Sequence, residues 1–349
     1  MVQTQASIVQ TQTSIAGVNL SPTRLTRLRL AGLFLLFFVI ACGLGYPTLN
    51  RYDPRSTPGL RDVQAYAALV TGNPDLVVNH MRFRVLVPWL ARPIYHLARG
   101  RSGSWDPVML GLLFADSIFV AATAVLIVMM GVAELASYPV ALVAALLYLV
   151  NFAIPNLRLA GLVDAGEGFF LLAVFWSLAE SRLWPLPLIA ILGALTKESF
   201  VPFMIVFSAS WWLVMRKHLN TAITSAVWIA ASWVVSLVTI AMLHWSITGQ
   251  VESPLAFGAS LHGNNDYLRQ FFSALVDHNS LYIFIWLLPL GVPRLKRFPK
   301  SWLAPVAATS ALVFVLDAYY SGAPGTVGRA LFTTAGPLLA LSAASFLLG

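Results

Sequence analysis

The chain has 349 residues, of which 58% are hydrophobic and 10% are charged, with a mean hydropathy of +0.77. Soluble domains carry about 25% charged residues, so this composition excludes an ordinary soluble protein and predicts an all-α polytopic membrane protein. The net charge of +8 comes from basic residues in loops between apolar runs, which indicates a lipid bilayer as partner and no nucleic acid. The single cysteine, Cys42, excludes an internal disulfide.

Residues 1–22 are rich in Gln, Thr and Ser and lack charge, which predicts a disordered cytoplasmic tail. Residues 23–349 are predicted to form a single transmembrane domain. Apolar runs predict about ten transmembrane helices. They lie near residues 30–47, 107–130, 137–154, 166–180, 184–196, 199–215, 221–245, 280–293, 302–320 and 329–348. Charge interrupts the fifth and sixth runs, so residues 184–215 form either two spans or one broken element.

Loop charges predict the topology. Arg24, Arg27 and Arg29 precede the first run, and with ten crossings three further basic loops fall on the same side. Because positive loops stay in the cytoplasm, this pattern predicts a cytoplasmic N-terminus in the inner or plasma membrane. The opposite, outer face then carries the loop 47–105 and the start of the fourth run, and we expect the functional residues there.

The first outer loop is unusually basic and has helical patterning. In "RDVQAYAAL" the spacing places Asp62 and Tyr66 on one helical face. "VPWLARPIYHLA" predicts a second, interfacial helix that begins at Pro88 and lays apolar side chains on the membrane. The basic residues of this loop are all arginines, which favours bidentate recognition of phosphate. The alternative is a solvated loop whose arginines extend to the lipid head groups. The eight arginines are Arg51, Arg55, Arg61, Arg82, Arg84, Arg92, Arg99 and Arg101.

A first transmembrane helix, a large outer loop with an acidic residue and surface helices, and a following polytopic bundle resemble the GT-C superfamily of glycosyltransferases. Three segments carry the resemblance: Asp62 and Tyr66 followed by "MRFRVLVPWLA", then "ILGALTKESFVPF", and finally "GRALFTTAGPLLAL". As architecture it covers most of residues 30–348. The resemblance implies transfer of a sugar from a polyprenyl-phosphate donor to a lipid, glycan or protein acceptor on the outer face.

Such a transfer needs a carboxylate to accept the proton of the acceptor, and cations or a metal to stabilise the departing phosphate. Asp62 is the preferred base, with a purely structural place at a helix N-terminus as its alternative interpretation. Asp53 is the alternative base because it lies closer to the end of the first run, where the acidic residue of the GT-C superfamily often falls, and a turn before Pro54 is its alternative interpretation. Asp164 and Glu167 stand three residues apart at the start of the fourth run, so they share a helical face. The resemblance gives them a catalytic or metal-binding role. A divalent metal, Mg²⁺ or Mn²⁺, stays open because the family's tight acidic pair is missing, and the alternative is helix capping.

Binding of the lipid phosphate is predicted for cationic and hydroxyl-bearing side chains of the outer face. Lys197 corresponds to the lysine of the resemblance, with pairing at a helix junction as the alternative. Arg329 begins the last run, where snorkelling is the alternative. The predicted set is Arg61, Tyr66, Arg82, Arg84, Lys197 and Arg329.

Two other functions compete with this prediction. One is an enzyme resembling the O-antigen ligases or polymerases, which also use outer arginines on a polyprenyl pyrophosphate. The other is a transporter or flippase for a lipid-linked or anionic substrate, which predicts internal repeats and interrupted helices in two halves. The chain has no Walker loop and no nucleophile elbow, which argues against an ATP-driven pump and a serine hydrolase.

Overall fold

The computed structural model describes residues 25–51, 61–77, 80–218, 222–249, 278–320 and 326–348. Every regular element in these ranges is helical, which confirms the predicted all-α class. The α-helices in chain order are α1 Arg27–Gly45, α2 Thr48–Arg51, α3 Arg61–Thr71, α4 Leu86–Ala98, α5 Pro107–Leu135, α6 Tyr138–Leu149, α7 Asp164–Ala179, α8 Leu186–Thr196, α9 Phe200–Met215, α10 Ala222–Thr248, α11 His278–Phe284, α12 Leu287–Gly291, α13 Lys300–Tyr320 and α14 Thr326–Ala344.

Four helical segments of the described chain are long and apolar enough to cross a membrane: Arg27–Gly45, Pro107–Leu135, Ala222–Thr248 and Val327–Leu348. Other predicted spans are shorter apolar helices, among them α6, α8 and α9. The span predicted near 280–293 is not confirmed as one continuous helix, because α11 and α12 are short and a 3₁₀ turn follows them. Proline at 293 restricts the backbone there and removes a hydrogen-bond donor.

Residues 47–105, which the sequence predicts on the outer face and which we call the first outer loop for that reason, contain the two predicted helices. In α3 the side chains of Val63, Tyr66 and Val70 are buried. The second helix, α4, begins at Leu86 rather than at Pro88, so the proline occupies the first helical turn, where its missing N–H is tolerated.

Close contact between α4 and α5 fixes this loop on the helical bundle. The Cα of Gly111 faces the backbone of Ala91, and a methyl group at position 111 would lie 2.7 Å from the Ala91 carbonyl oxygen. Small residues allow such backbone approach between membrane helices. Because the obstacle is backbone, no side-chain rotation can relieve the overlap.

We therefore expect Gly111→Ala to lower the free energy of unfolding by about 1–3 kcal/mol, because overpacking forces α4 away from α5. The measurement is unfolding in detergent micelles titrated with SDS. Gly32→Ala is the matched control, since a methyl group at position 32 of α1 meets nothing within 4 Å. It should be neutral or stabilising by up to about 1 kcal/mol. Equal stability of the two variants would contradict the close α4–α5 contact.

Two breaks in the helical backbone place charged residues inside the protein. Residues 184–215 form two helices, α8 and α9, which separate at Lys197, Glu198 and Ser199. The connection between α6 and α7 is largely buried and contains the π-helical turn Ile154–Arg158. Irregular backbone of this kind is tolerated in a membrane protein where other protein segments surround it.

Candidate functional site

Charged and hydroxyl side chains from the two breaks, the first outer loop and the start of α14 meet in two adjoining clusters. The Lys197 cluster consists of Arg158, Asp164, Glu167, Lys197, Ser199, Arg329 and Thr333. The Arg84 cluster consists of Tyr66, His80, Arg84 and Glu198. Lys197 and Glu198 are consecutive, so a single peptide bond joins the clusters.

Lys197 is the centre of the first cluster. Its Nζ lies 2.8 Å from Oδ1 of Asp164 and 3.0 Å from Oε2 of Glu167. The Ser199 hydroxyl donates a hydrogen bond to the second oxygen of Glu167. Both carboxylates are buried, and the lysine side chain is only 13% exposed. Charges this deep require partners, and the ammonium group supplies one to each carboxylate.

The position of Lys197 bears on whether Asp164 and Glu167 could bind the divalent metal that the sequence leaves open. Asp164 and Glu167 do share a face of α7, as their spacing predicts, but the lysine ammonium lies between their carboxylates. The described residues contain no group of three or more His, Cys, Asp or Glu side chains that could hold a metal ion. These two carboxylates therefore do not fit Mg²⁺ or Mn²⁺, which require several oxygen ligands.

Arg158 belongs to the same cluster and was missed in the sequence. Its Nη1 donates to the backbone carbonyl of Asp164, and its Nη2 donates to the Thr333 hydroxyl at 2.7 Å. The guanidinium packs on Gly168, where a methyl group would overlap it. The available signal was a lone arginine within the apolar run 152–163, because such a residue in a membrane protein is costly without a function or partner.

Arg84 is fully paired in the second cluster. Its Nε donates to Oε2 of Glu198 at 2.9 Å, and its Nη2 binds the other carboxylate oxygen. Its Nη1 donates to the Tyr66 hydroxyl at 2.9 Å. This bidentate geometry gives the strong, directional pairing that arginine forms with carboxylates. Arg84 pairs in the structure with the carboxylate of Glu198, and its predicted binding of a lipid phosphate stays a prediction.

The surroundings of the Arg84 cluster shift the ionisation of its members. Burial raises the pKa of Tyr66 to about 12, although Arg84 acts in the opposite direction. Burial also works to raise the pKa of Glu198, but the charge of Arg84 outweighs it and lowers the pKa to about 2. His80, 3.8 Å from Glu198 and 40% exposed, has its pKa lowered by burial. At neutral pH the cluster therefore holds a neutral phenol and an ion pair.

Asp62 and Arg329 lie at the edge of the two clusters. The carboxylate of Asp62 is half-buried, acts electrostatically on Arg329, Tyr66 and His80, and forms no hydrogen bond or ion pair with the described residues. Arg329 is 20% exposed and touches Asp164 only through Nε, at 3.4 Å. Its two amino groups have no partner within the described part of the chain. These are the members of the site with unused hydrogen-bonding capacity.

Three further predicted residues lie outside this geometry. Arg82 is half-buried, with its guanidinium 4.9 Å from the ring centre of Phe83, and it joins neither cluster. Asp53 and the side chain of Arg61 lie outside the described residues. Their predicted roles therefore stay predictions.

The described site thus brings together Asp62, Tyr66, Arg84, Lys197 and Arg329 with the acidic pair of α7. Comparison of the chain with family models, with curated proteins and with solved structures gave no match.

Proposed function

We propose that the protein is a membrane glycosyltransferase that moves a sugar from a polyprenyl-phosphate donor to a hydroxyl-bearing lipid, glycan or protein acceptor. The observation that carries the proposal is the pair of oppositely charged groups with unused hydrogen-bonding capacity at the edge of the two clusters: among the described residues Asp62 forms no hydrogen bond or ion pair, and the amino groups of Arg329 have no partner. Sugar transfer from a lipid phosphate needs one group of each kind. The sequence resemblance to the GT-C superfamily points in the same direction.

In the proposed reaction the acceptor hydroxyl attacks the anomeric carbon of the donor sugar. A new bond forms between that oxygen and the anomeric carbon, while the bond between the anomeric carbon and the phosphate oxygen breaks. Asp62 accepts the proton of the acceptor hydroxyl, and the amino groups of Arg329 bind the negative charge that develops on the phosphate. Lys197 and Arg84 act indirectly, because their ion pairs fix the start of α7 and the first outer loop.

The experiment is sugar transfer in isolated membranes from a panel of radiolabelled polyprenyl-phosphate sugars. Asp62→Asn is expected to lower the rate by about 10²- to 10⁴-fold, because the amide cannot accept the acceptor proton. Asp75→Asn is the matched control, since Asp75 is an exposed acid of the same outer loop. That variant should keep the wild-type rate. Western blots of the membranes establish that all variants are present at equal amounts.

The same assay separates the competing assignments. Asp62 is not the base if Asp62→Asn keeps the wild-type rate while Asp53→Asn or Asp164→Asn loses transfer. The base is then the carboxylate whose replacement abolishes transfer. Unchanged transfer in all three variants would remove the catalytic role of these acids. Absence of transfer from every donor in the panel, with wild-type protein present, would contradict the transferase proposal.

Transport of a lipid-linked or anionic substrate is the second candidate, and the interrupted helices favour it. The break between α8 and α9 carries Lys197, and the buried connection before α7 carries Arg158. Transporters place substrates at such discontinuities. Reconstituted vesicles distinguish the two functions, because a transporter moves a fluorescent prenyl-phosphate lipid between leaflets without changing it, whereas a transferase yields a new glycosidic product.

A further inference from the structure

The end of the helical bundle opposite the Lys197 cluster carries a group of basic residues. α7, α9 and α14 all begin at that cluster, and α7 packs against both of the others. α7 and α9 have 16 residues each, so their far ends lie about 24 Å from the cluster. We call the basic group at these far ends the basic rim. It consists of Arg182, Arg216, Lys217, Arg294, Lys296 and Lys300, of which Arg294 is half-buried and the others are exposed.

Direct contacts bring the segments of the basic rim together. Arg294 lies in the 3₁₀ turn before α13, and near the start of α13 the ring of Trp302 lies 4.9 Å from that of Phe175 in α7. The same turn contacts the residue that follows α14, because the Arg297 guanidinium donates a hydrogen bond to the Ser345 carbonyl oxygen at 3.1 Å. α13 also packs against α9. The ends of α7, α9 and α14 and the start of α13 therefore form one surface.

The three arginines of the basic rim share one arrangement. Each guanidinium packs on an aromatic ring, and none of them forms a hydrogen bond or an ion pair within the part of the chain that the structure describes. The rings hold the planar groups in place and leave their N–H donors available. The distances from guanidinium carbon to ring centre are 5.9 Å for Arg182 and Trp176, 5.7 Å for Arg216 and Trp212, and 4.4 Å for Arg294 and Phe346.

We propose that the basic rim binds the phosphate head groups of anionic phospholipids in the adjacent leaflet. The segments 180–185, 216–221 and 292–300 contain seven Lys and Arg residues and one acid, Glu180, so the surface is complementary to negative charge. Arginine recognises phosphate with paired N–H groups, and basic clusters beside membrane helices attract anionic lipids. Trp184, which is 70% exposed, lies in the first of these segments, and tryptophan favours the membrane–water interface.

The apolar surroundings of the basic rim favour a lipid over a soluble anion. Leu213, three residues before Arg216, is exposed, and so are Phe346 and Leu347 beside Arg294. A ligand that covers this surface needs an apolar part next to its charge, and a phospholipid has both. The basic rim lies away from Asp62 and Arg329, so this proposal is independent of the proposed reaction.

The test titrates dioleoyl phosphatidylglycerol into the full-length protein in neutral detergent, and the rise of the thermal unfolding midpoint gives an apparent Kd. Dioleoyl phosphatidylcholine, with the same acyl chains, should raise the midpoint less. The double variant Arg182→Gln/Arg216→Gln should weaken binding of phosphatidylglycerol about fivefold for each arginine removed, or about 25-fold for the pair. Its midpoint without added lipid should equal that of the wild type, because both arginines are exposed.

The matched control is Arg99→Gln/Arg101→Gln. These two arginines are exposed after α4, and their replacement removes the same number of positive charges. This variant should keep an apparent Kd close to that of the wild type. An equal loss in both double variants would attribute the effect to net charge and overturn the basic rim as a lipid site.

Two further outcomes would also overturn the proposal. One is an equal midpoint of the wild type in the two phospholipids, which would exclude recognition of the anionic head group. The other is equal stabilisation by glycerol phosphate or by a polyglutamate peptide at the same charge concentration, which would assign the surface to a soluble anion or to an acidic protein.

Discussion

Replacement of Lys197 by methionine should lower the free energy of unfolding by about 3–5 kcal/mol. The lysine is the cation that contacts both Asp164 and Glu167, which are buried at the start of α7. Methionine has similar length but no charge, so Glu167 would keep only the Ser199 hydroxyl and Asp164 only the longer contact with Arg329. Removal of one partner from a buried ion pair leaves an uncompensated charge, which is far more destabilising than removal of the whole pair.

The measurement is again unfolding in mixed micelles, with Lys296→Met as the matched control. Lys296 is exposed, so its replacement should change the stability by less than about 0.5 kcal/mol. A double variant that combines Lys197→Met with Glu167→Gln should recover most of the loss, because Glu167 then carries no charge and Asp164 keeps its contact with Arg329. If Lys197→Met alone is as stable as the wild type, the arrangement of the Lys197 cluster is wrong.

Replacement of Glu198 by glutamine should have the second-largest effect and should depend on pH. Arg84 is buried, and Glu198 supplies its countercharge through a bidentate pair, so Glu198→Gln should be less stable than the wild type by about 2–4 kcal/mol at pH 7. Folding lowers the pKa of Glu198 from 4.5 to about 2. The stabilisation is therefore complete above pH 4.5 and is lost as the pH falls toward 2.

The difference in free energy of unfolding between wild type and Glu198→Gln should therefore become smaller below pH 4.5. The ionisation of Glu198 does not change between pH 6 and 8, so its contribution to this difference should stay constant there. Asp75→Asn serves as control, because Asp75 is exposed in the same loop and its replacement should matter little at any pH. A difference that is the same at pH 7 and pH 3 would show that the ion pair with Arg84 does not set the stability of this cluster.

The sequence predicts much of the helical framework because apolar runs and loop charges report directly on helices and on sides of a membrane. The same reasoning places the start of α7, the Lys197 break and the start of α14 at one end of the bundle together with the first outer loop. In the structure Asp164 does contact both Lys197 and Arg329, and the charge of Asp62 acts on Arg329. The prediction needed only chain order and helix direction, so no knowledge of the packing was required.

The partners of each charge could not be predicted in this way. Arg84 and Glu198 are 114 residues apart, and the residues around Glu198 do not indicate that its carboxylate pairs with an arginine of the first outer loop. The burial of Arg158 depends on the irregular connection before α7, which the sequence does not reveal. The question of a metal, which the sequence leaves open, has a related cause, since spacing shows which carboxylates share a face but not which cation lies opposite them. Such pairing arises from tertiary packing, which sequence periodicity does not encode.

The break between α8 and α9 also constrains how the protein is made. α8 has eleven residues, too few to cross a hydrocarbon layer about 30 Å thick, and charged residues follow it immediately. When Lys197 and Glu198 leave the ribosome, their partners Asp164, Glu167 and Arg84 have already been synthesised. The ion pairs of Lys197 with the α7 carboxylates and of Glu198 with Arg84 therefore need no segment that is synthesised after them.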